Sequence, residues 1–190
     1  MDNPYLGEFL QLVYSGLDSS KGRKELRRKY AYAIPSREAL EAIAIYSPII
    51  EVGAGGGYWA WCLAARGVDI IATDTAAPRD NRTWFGGEES WHEVIVMDGP
   101  EAAKCYSDRA LFLCWPIYAE LMAYETIKSY VEAGGSILIY IGEGFGGCTG
   151  SDTFFEFIWE VLTEIRHIPL PQWYGLHDNL WIYQVDTKRK

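Results

Sequence analysis

The residues best suited to chemistry are grouped in Glu51-Val52-Gly53-Ala54-Gly55-Gly56-Gly57, between the apolar entry Pro48-Ile49-Ile50 and the run Tyr58-Trp59-Ala60-Trp61-Cys62-Leu63. Gly at 53, 55 and 57 lets the backbone take positive φ and lets a ligand lie against bare main chain, and the helix start beyond adds unpaired N–H donors. Strand, glycine turn and helix in that order make a cradle for a nucleotide-type ligand. A dinucleotide fingerprint, G-x-G-x-x-G counted from Gly53, requires Gly or Ala at position 58, where Tyr58 stands. Asp74 closes the next apolar run, Val68 to Thr73, and a carboxylate there suits a pair of vicinal hydroxyls. In open parallel sheets ligands bind outside the carboxyl ends of the strands, so the residues after each strand are the remaining candidates: Asp98 and Gly99, Trp115 to Tyr118, and Gly142 to Phe145.

The pattern E-x-G-x-G-x-G, with Asp74 after the next strand, resembles motif I of the class I S-adenosylmethionine-dependent methyltransferases. The resemblance implies that Glu51, Gly53, Ala54, Gly55, Gly57 and Tyr58 surround the methionyl part of that cofactor, and that Asp74 takes the ribose hydroxyls. It further implies that Asp98, with Gly99, meets the adenine amine, a donor that matches a carboxylate acceptor. Asp98 also reads as the N-cap of the helix that follows. Cys114-Trp115-Pro116-Ile117-Tyr118 stands where amino-methyltransferases of this superfamily carry Asn- or Asp-Pro-Pro-Tyr. Trp115 replaces the polar first residue, and an indole cannot accept the N–H bonds that steer an amine lone pair. That departure weighs against adenine, cytosine or glutamine N-methylation. Trp115 still offers an aromatic wall near a sulfonium, while Tyr118 and Phe145 are candidates for acceptor contact. The chain shows no metal-ligand spacing.

A nucleophile held in line for methyl transfer must often lose a proton. The candidate bases are Glu143, in the glycine-flanked stretch 142–150, and His177 and Asp178, in the turn between the last two strands. Cys148 is a weaker nucleophile candidate, since no partner histidine is assignable from sequence.

Elements that could position these groups follow from periodicity. Residues 4–17 and 20–31 read as two helices, an N-terminal helical extension over 1–35 ahead of a single unit over 36–190. Ser36 caps a helix over 37–46. Then come strand 48–52, helix 58–66, strand 68–73, strand 93–97, helix 100–106, strand 110–114, helix 118–132, strand 136–141, helix 152–165 and extended pieces 166–170 and 179–185. Continuous apolar strands imply a sheet covered on both faces. The expected fold is α/β, a doubly wound, mostly parallel seven-stranded sheet with an antiparallel C-terminal hairpin strand, because 170–178 is too short for a helical crossover. Residues 75–92 read as loop, long enough to cover a site.

The chain has 190 residues, 49% hydrophobic and 15% aromatic, with a net charge of -9. One globular domain is expected, with no membrane span and no secretory signal, hence a cytoplasmic protein with reduced thiols. Nine of the 17 basic residues lie in 21–29 and at 188–190, leaving an acidic body that repels phosphate backbones. The acceptor is therefore expected to be a small molecule or peptide rather than nucleic acid, with the basic stretch 21–29 leaving an RNA contact open. Two alternatives remain: a non-catalytic S-adenosylmethionine-binding module or scaffold, and a NAD-dependent oxidoreductase, which Tyr58 and the hairpin ending disfavour.

Overall fold

The structure is a computed structural model that describes residues 3–16, 19–76 and 90–186. Along the chain lie α1 (Pro4–Ser15), α2 (Ser19–Lys29), α3 (Arg37–Ala44), β1 (Ile49–Val52), α4 (Tyr58–Ala64), β2 (Ile70–Asp74), β3 (Val94–Val96) and α5 (Gly99–Cys105). They are followed by β4 (Ala110–Cys114), α6 (Met122–Glu132), β5 (Ile137–Gly142), α7 (Asp152–Val161), β6 (Leu162–Pro169) and β7 (Asn179–Val185). The seven strands form one sheet in the order β3-β2-β1-β4-β5-β7-β6. The first five run parallel, while β7 is antiparallel to both β5 and β6. This is the doubly wound sheet with a C-terminal hairpin that the strand pattern predicts.

Alternation along the strands divides the core. Ile49, Phe112, Ile139 and Ile182 face α1 to α4, whereas Ile50, Leu111, Leu113, Leu138 and Tyr183 face α5 to α7. Successive strand side chains point to opposite faces, so an all-apolar strand needs helices on both. Tyr5 and Phe9 of α1 and Leu26 of α2 are buried in the same cluster as α3 and α4. Tyr5 stacks on Tyr30 at 5.0 Å and accepts a hydrogen bond from Trp173 Nε1 at 3.2 Å. The N-terminal helices thus close one face of the sheet.

Local capping follows the sequence. Ser36 Oγ accepts from Ala39 N at 3.1 Å to start α3, and Asp98 Oδ1 accepts from Glu101 N at 2.8 Å to start α5. Two boundaries differ from the periodic reading. The helix expected from 118 begins at Met122, because Ala119 takes φ 58 and its N–H goes to Gly150 O at 3.1 Å. The helix expected to reach 165 stops at Val161. Leu162 turns extended, and β6 starts at once because Leu162 pairs with Val185 of β7. Of the loop expected over 75–92, residues 77–89 lie outside the described residues.

Candidate active site

A cavity of about 470 Å³ opens at the carboxyl ends of β1, β2 and β4, where the strand order reverses. One side is made by the glycine turn. Gly53 N and Ala54 N both donate to Thr73 O, at 2.9 and 3.0 Å, which continues the β1–β2 ladder past the strand end. Gly55 then takes φ 57 and donates its N–H to Asp74 Oδ2 at 2.8 Å, and Thr75 N donates to Asp74 Oδ1 at 2.7 Å. The carboxylate is thereby fixed against the turn. A side chain at 55 would meet the left-handed penalty of about 1–2 kcal/mol.

Glu51 lines the same cavity and is only 2% exposed. Burial pushes its carboxyl up to about 8, the neighbouring Asp74 charge adds to this, and a hydrogen bond from the Ala60 backbone opposes it. Its Oε2 has no hydrogen-bond partner. A buried carboxyl oxygen without a donor is costly, and it stands where a ligand's donor would satisfy it.

The opposite side is built from side chains. Trp115 follows β4 with φ 56, a left-handed value that costs a non-glycine residue about 1–3 kcal/mol. Three contacts hold it there: its N–H donates to Ile141 O at 2.7 Å, its ring stacks on Tyr32 at 4.9 Å, and its Nε1 donates to Asp178 Oδ1 at 2.6 Å. Asp178 is fully buried and its Oδ2 is unpartnered. Burial raises its carboxyl to about 6 despite the indole hydrogen bond. Tyr30, Tyr32, Tyr118, Glu120, Met122 and Cys148 complete this side.

Of the residues singled out from sequence, the cavity gathers Glu51, Val52, Gly53, Ala54, Gly55, Asp74, Gly99, Trp115, Pro116, Ile117, Tyr118 and Cys148. Gly57 and Tyr58 lie elsewhere. Gly57, at φ 73, faces the chain entering β3, and a β-carbon there would come within 2.9 Å of His92 Cβ. Tyr58 is turned into the aromatic cluster, with its hydroxyl donating to Asn3 Oδ1 at 2.7 Å and its ring 4.9 Å from Tyr30. Asp98 is exposed and caps α5. Phe145 stands off the cavity, 5.0 Å from the ring of Trp159.

The three base candidates come together behind the cavity wall. Glu143 Oε1 accepts from His177 N at 2.8 Å and Oε2 from Cys148 N at 2.7 Å. Burial opposes ionisation of Glu143, yet these backbone bonds outweigh it and hold the carboxyl below its usual range. It clamps the 143–150 loop to the β6–β7 turn. The His177 side chain is 82% exposed, with Nδ1 3.5 Å from Glu143 Oε1. The Cys148 thiol is pushed up to about 11, chiefly by burial, so it is protonated at neutral pH and a poor nucleophile.

Sequence reasoning missed Tyr30, Tyr32 and Glu120. Tyr30 falls inside the helix expected over 20–31 and Tyr32 just beyond it, and Glu120 falls inside the helix expected over 118–132, so none of the three stands at a strand end. The nearest available signal was Tyr30-Ala31-Tyr32 just ahead of Pro35, an aromatic pair in a helix-stopping segment.

No family model matches the chain, and no curated protein sequence matches it. Solved structures do. Magnesium protoporphyrin IX methyltransferase (ChlM) from Synechocystis PCC 6803 with bound SAM superposes with a TM-score of 0.52 at 9% identity, over 78% of this chain and 79% of that one. Sp1610 of Streptococcus pneumoniae, a candidate tRNA (m1A22) methyltransferase, gives 0.54 at 16% identity over 82% and 72%. TrmN from Thermus thermophilus gives 0.52 at 13% identity over 78% of this chain and 48% of its own. At these identities the likeness concerns the fold, and the fold of this chain is that of the class I S-adenosylmethionine-dependent methyltransferases.

Proposed function

We propose that this chain is an S-adenosylmethionine-dependent methyltransferase whose acceptor is a small molecule or peptide. The observation that carries the reading is the unpartnered, buried Glu51 Oε2 beside the glycine turn. An ammonium group supplies the missing donor, and its charge would favour the ionised carboxylate that burial now disfavours. The reading assigns the residues of the cavity to the cofactor part by part. Glu51 would meet the ammonium, and Gly53, Ala54 and Gly55 would leave room along the main chain. Asp74, already oriented by Gly55 and Thr75, would accept the ribose hydroxyls. Met97 and Gly99 would border the adenine, with Asp98 adjacent in the chain, and Trp115 would wall the sulfonium.

When bound, the cofactor supplies an electrophilic methyl group on sulfur. The protein's own contribution is positional. Trp115 and Tyr32, stacked at 4.9 Å, would give the bound cofactor an aromatic wall, and a drier wall favours a charge-dispersing transfer. Asp178 holds the indole, and Glu143 holds the two loops behind it. On this reading Glu143 orders these loops through its two backbone hydrogen bonds.

Isothermal titration with S-adenosylmethionine and, in parallel, NAD tests the reading. Binding of the first alone, weakened in Asp74→Ala, is the expected result. Silence toward both would leave the glycine turn as a connector and return the chain to a scaffold role.

A further inference from the structure

Among the described residues that line the cavity, two buried side-chain atoms have no hydrogen-bond partner, and they are opposite in kind. One is the acceptor Glu51 Oε2. The other is Trp59 Nε1, and an indole N–H can only donate. Trp59 is as deeply buried as Glu51. The two side chains are neighbours. Glu51 of β1 pairs with Phe112 of β4, so both side chains leave the same face of the sheet, and the Trp59 ring meets Phe112 edge-on with 5.8 Å between centroids. The Glu51 carboxyl also takes its hydrogen bond from the backbone of Ala60, the residue after Trp59. Although adjacent, the two atoms do not bond to each other, so each is left to a third group.

The donors around Trp59 are committed within the protein. Gly53 N and Ala54 N donate to Thr73 O, Gly55 N to Asp74 Oδ2, and Gly57 N to Ala54 O at 2.8 Å. The Trp115 indole is taken by Asp178, and the Tyr30 hydroxyl by Glu8 Oε1 at 2.7 Å. Among the described residues no Lys or Arg lines the cavity. A carboxylate seated beside Glu51 would therefore find its donor in Trp59 Nε1. A buried donor left unpaired carries a desolvation penalty, which such a ligand relieves. An α-amino acid has the matching shape, since its ammonium and its carboxylate share one carbon and so call for an acceptor and a donor side by side.

We propose that Trp59 Nε1–H donates to the α-carboxylate of the cofactor's methionyl group, so that Trp59 and Glu51 together recognise an α-amino-acid head, the first through its carboxylate and the second through its ammonium. The proposal rests on the methyltransferase reading, and it adds a binding residue to that site. Trp59 acts here through one hydrogen atom, so its ring packing and its ligand contact are separable by substitution.

Two nucleosides test it: S-adenosylmethionine and its decarboxylated form, which keeps the ammonium and lacks the carboxylate, each titrated calorimetrically into the full chain. The first should bind more tightly by about tenfold or more, the range of one hydrogen bond to a charged group. Trp59→Phe keeps the ring and removes the N–H, so it should erase that preference while leaving the decarboxylated form unchanged. A purely structural role for Trp59 would weaken both ligands alike. If the variant fails to fold, the indole ¹⁵N–¹H signals of the unmodified chain serve instead: S-adenosylmethionine should move the signal of a buried indole downfield, and the decarboxylated form should not. Equal affinity for the two ligands would overturn the proposal, as would parallel weakening in Trp59→Phe or the same indole response to both ligands, the result expected if water bridges Trp59 and Glu51. Any of these outcomes alongside S-adenosylmethionine binding removes the Trp59 contact alone. Absence of S-adenosylmethionine binding to the unmodified chain removes the methyltransferase reading and this contact with it.

Discussion

The two sides of the cavity are built by different means. The Glu51 to Gly55 side is made largely of main chain from consecutive residues and one neighbouring strand, fixed by the parallel register that sets Val52 beside Thr73. The Trp115 side is made of side chains from distant segments: Tyr32 before α3, Trp115 after β4, and Asp178 from the β6–β7 turn, the last two 63 residues apart. Main-chain cradles are specified by glycine positions and strand ends, so a short motif encodes them. Side-chain walls are specified by contacts across the fold, and no local spacing announces them.

The sharpest break in this comparison is Gly55→Val. With φ 57 at this position and its N–H committed to Asp74, a β-branched side chain should abolish cofactor binding, read as loss of calorimetric heat while circular dichroism confirms the fold. Retained binding would detach the turn from the ligand. Asp74→Ala should act less severely, weakening S-adenosylmethionine by about 1–3 kcal/mol through loss of a charge-assisted acceptor. Unchanged affinity would deny Asp74 its ribose role.

On the other side, Asp178→Ala strands a buried indole N–H and should cost about 1–2 kcal/mol of stability. Asp178→Asn keeps an acceptor and should restore most of it, as seen in the melting temperature. Asp178 also carries a pH signature. Its carboxyl rises from an ordinary 3.8 to about 6, so the folded state binds this proton more tightly than the unfolded chain does. The associated stability is complete below about 3.8, falls as pH rises, and is gone above about 6; Asp178→Asn should flatten that interval.

The smallest effect concerns Glu51. Its carboxyl is raised from 4.5 to about 8, so its contribution to stability is likewise present at low pH and lost as pH climbs through that window. If an ammonium ionises it on binding, about one proton is released per cofactor at neutral pH. Titrations in buffers of different ionisation enthalpy should show this release, and Glu51→Gln should abolish it. Buffer-independent heat in the unmodified chain would place the ammonium elsewhere.

Legibility followed the same division. The glycine turn, Asp74 and the strand-end rule led to eleven of the cavity's lining residues, 51–55, Asp74, Gly99 and 115–118, because each depends on a strand end that apolar runs reveal. The resemblance places Tyr58 at the ligand, whereas the helix start turns its ring toward Tyr5 and Tyr30. Glu143 reads from sequence as a candidate base in a glycine-flanked stretch, whereas its two oxygens accept backbone N–H groups, one of them from His177, 34 residues away, a contact no local pattern announces. Tyr32 has no sequence signature, since its place depends on how α2 docks against the sheet.

The sequence by itself determined the order of elements, the doubly wound sheet with its closing hairpin, the Ser36 cap and the turn that forms the cradle, because strand periodicity, capping chemistry and glycine φ are properties of contiguous residues. Only the tertiary structure decided that Trp115, in a left-handed conformation, donates to a buried carboxyl, and that Glu143 joins the 143–150 loop to the β6–β7 turn. Those facts reside in partners distant along the chain, and they follow from packing that no local pattern contains.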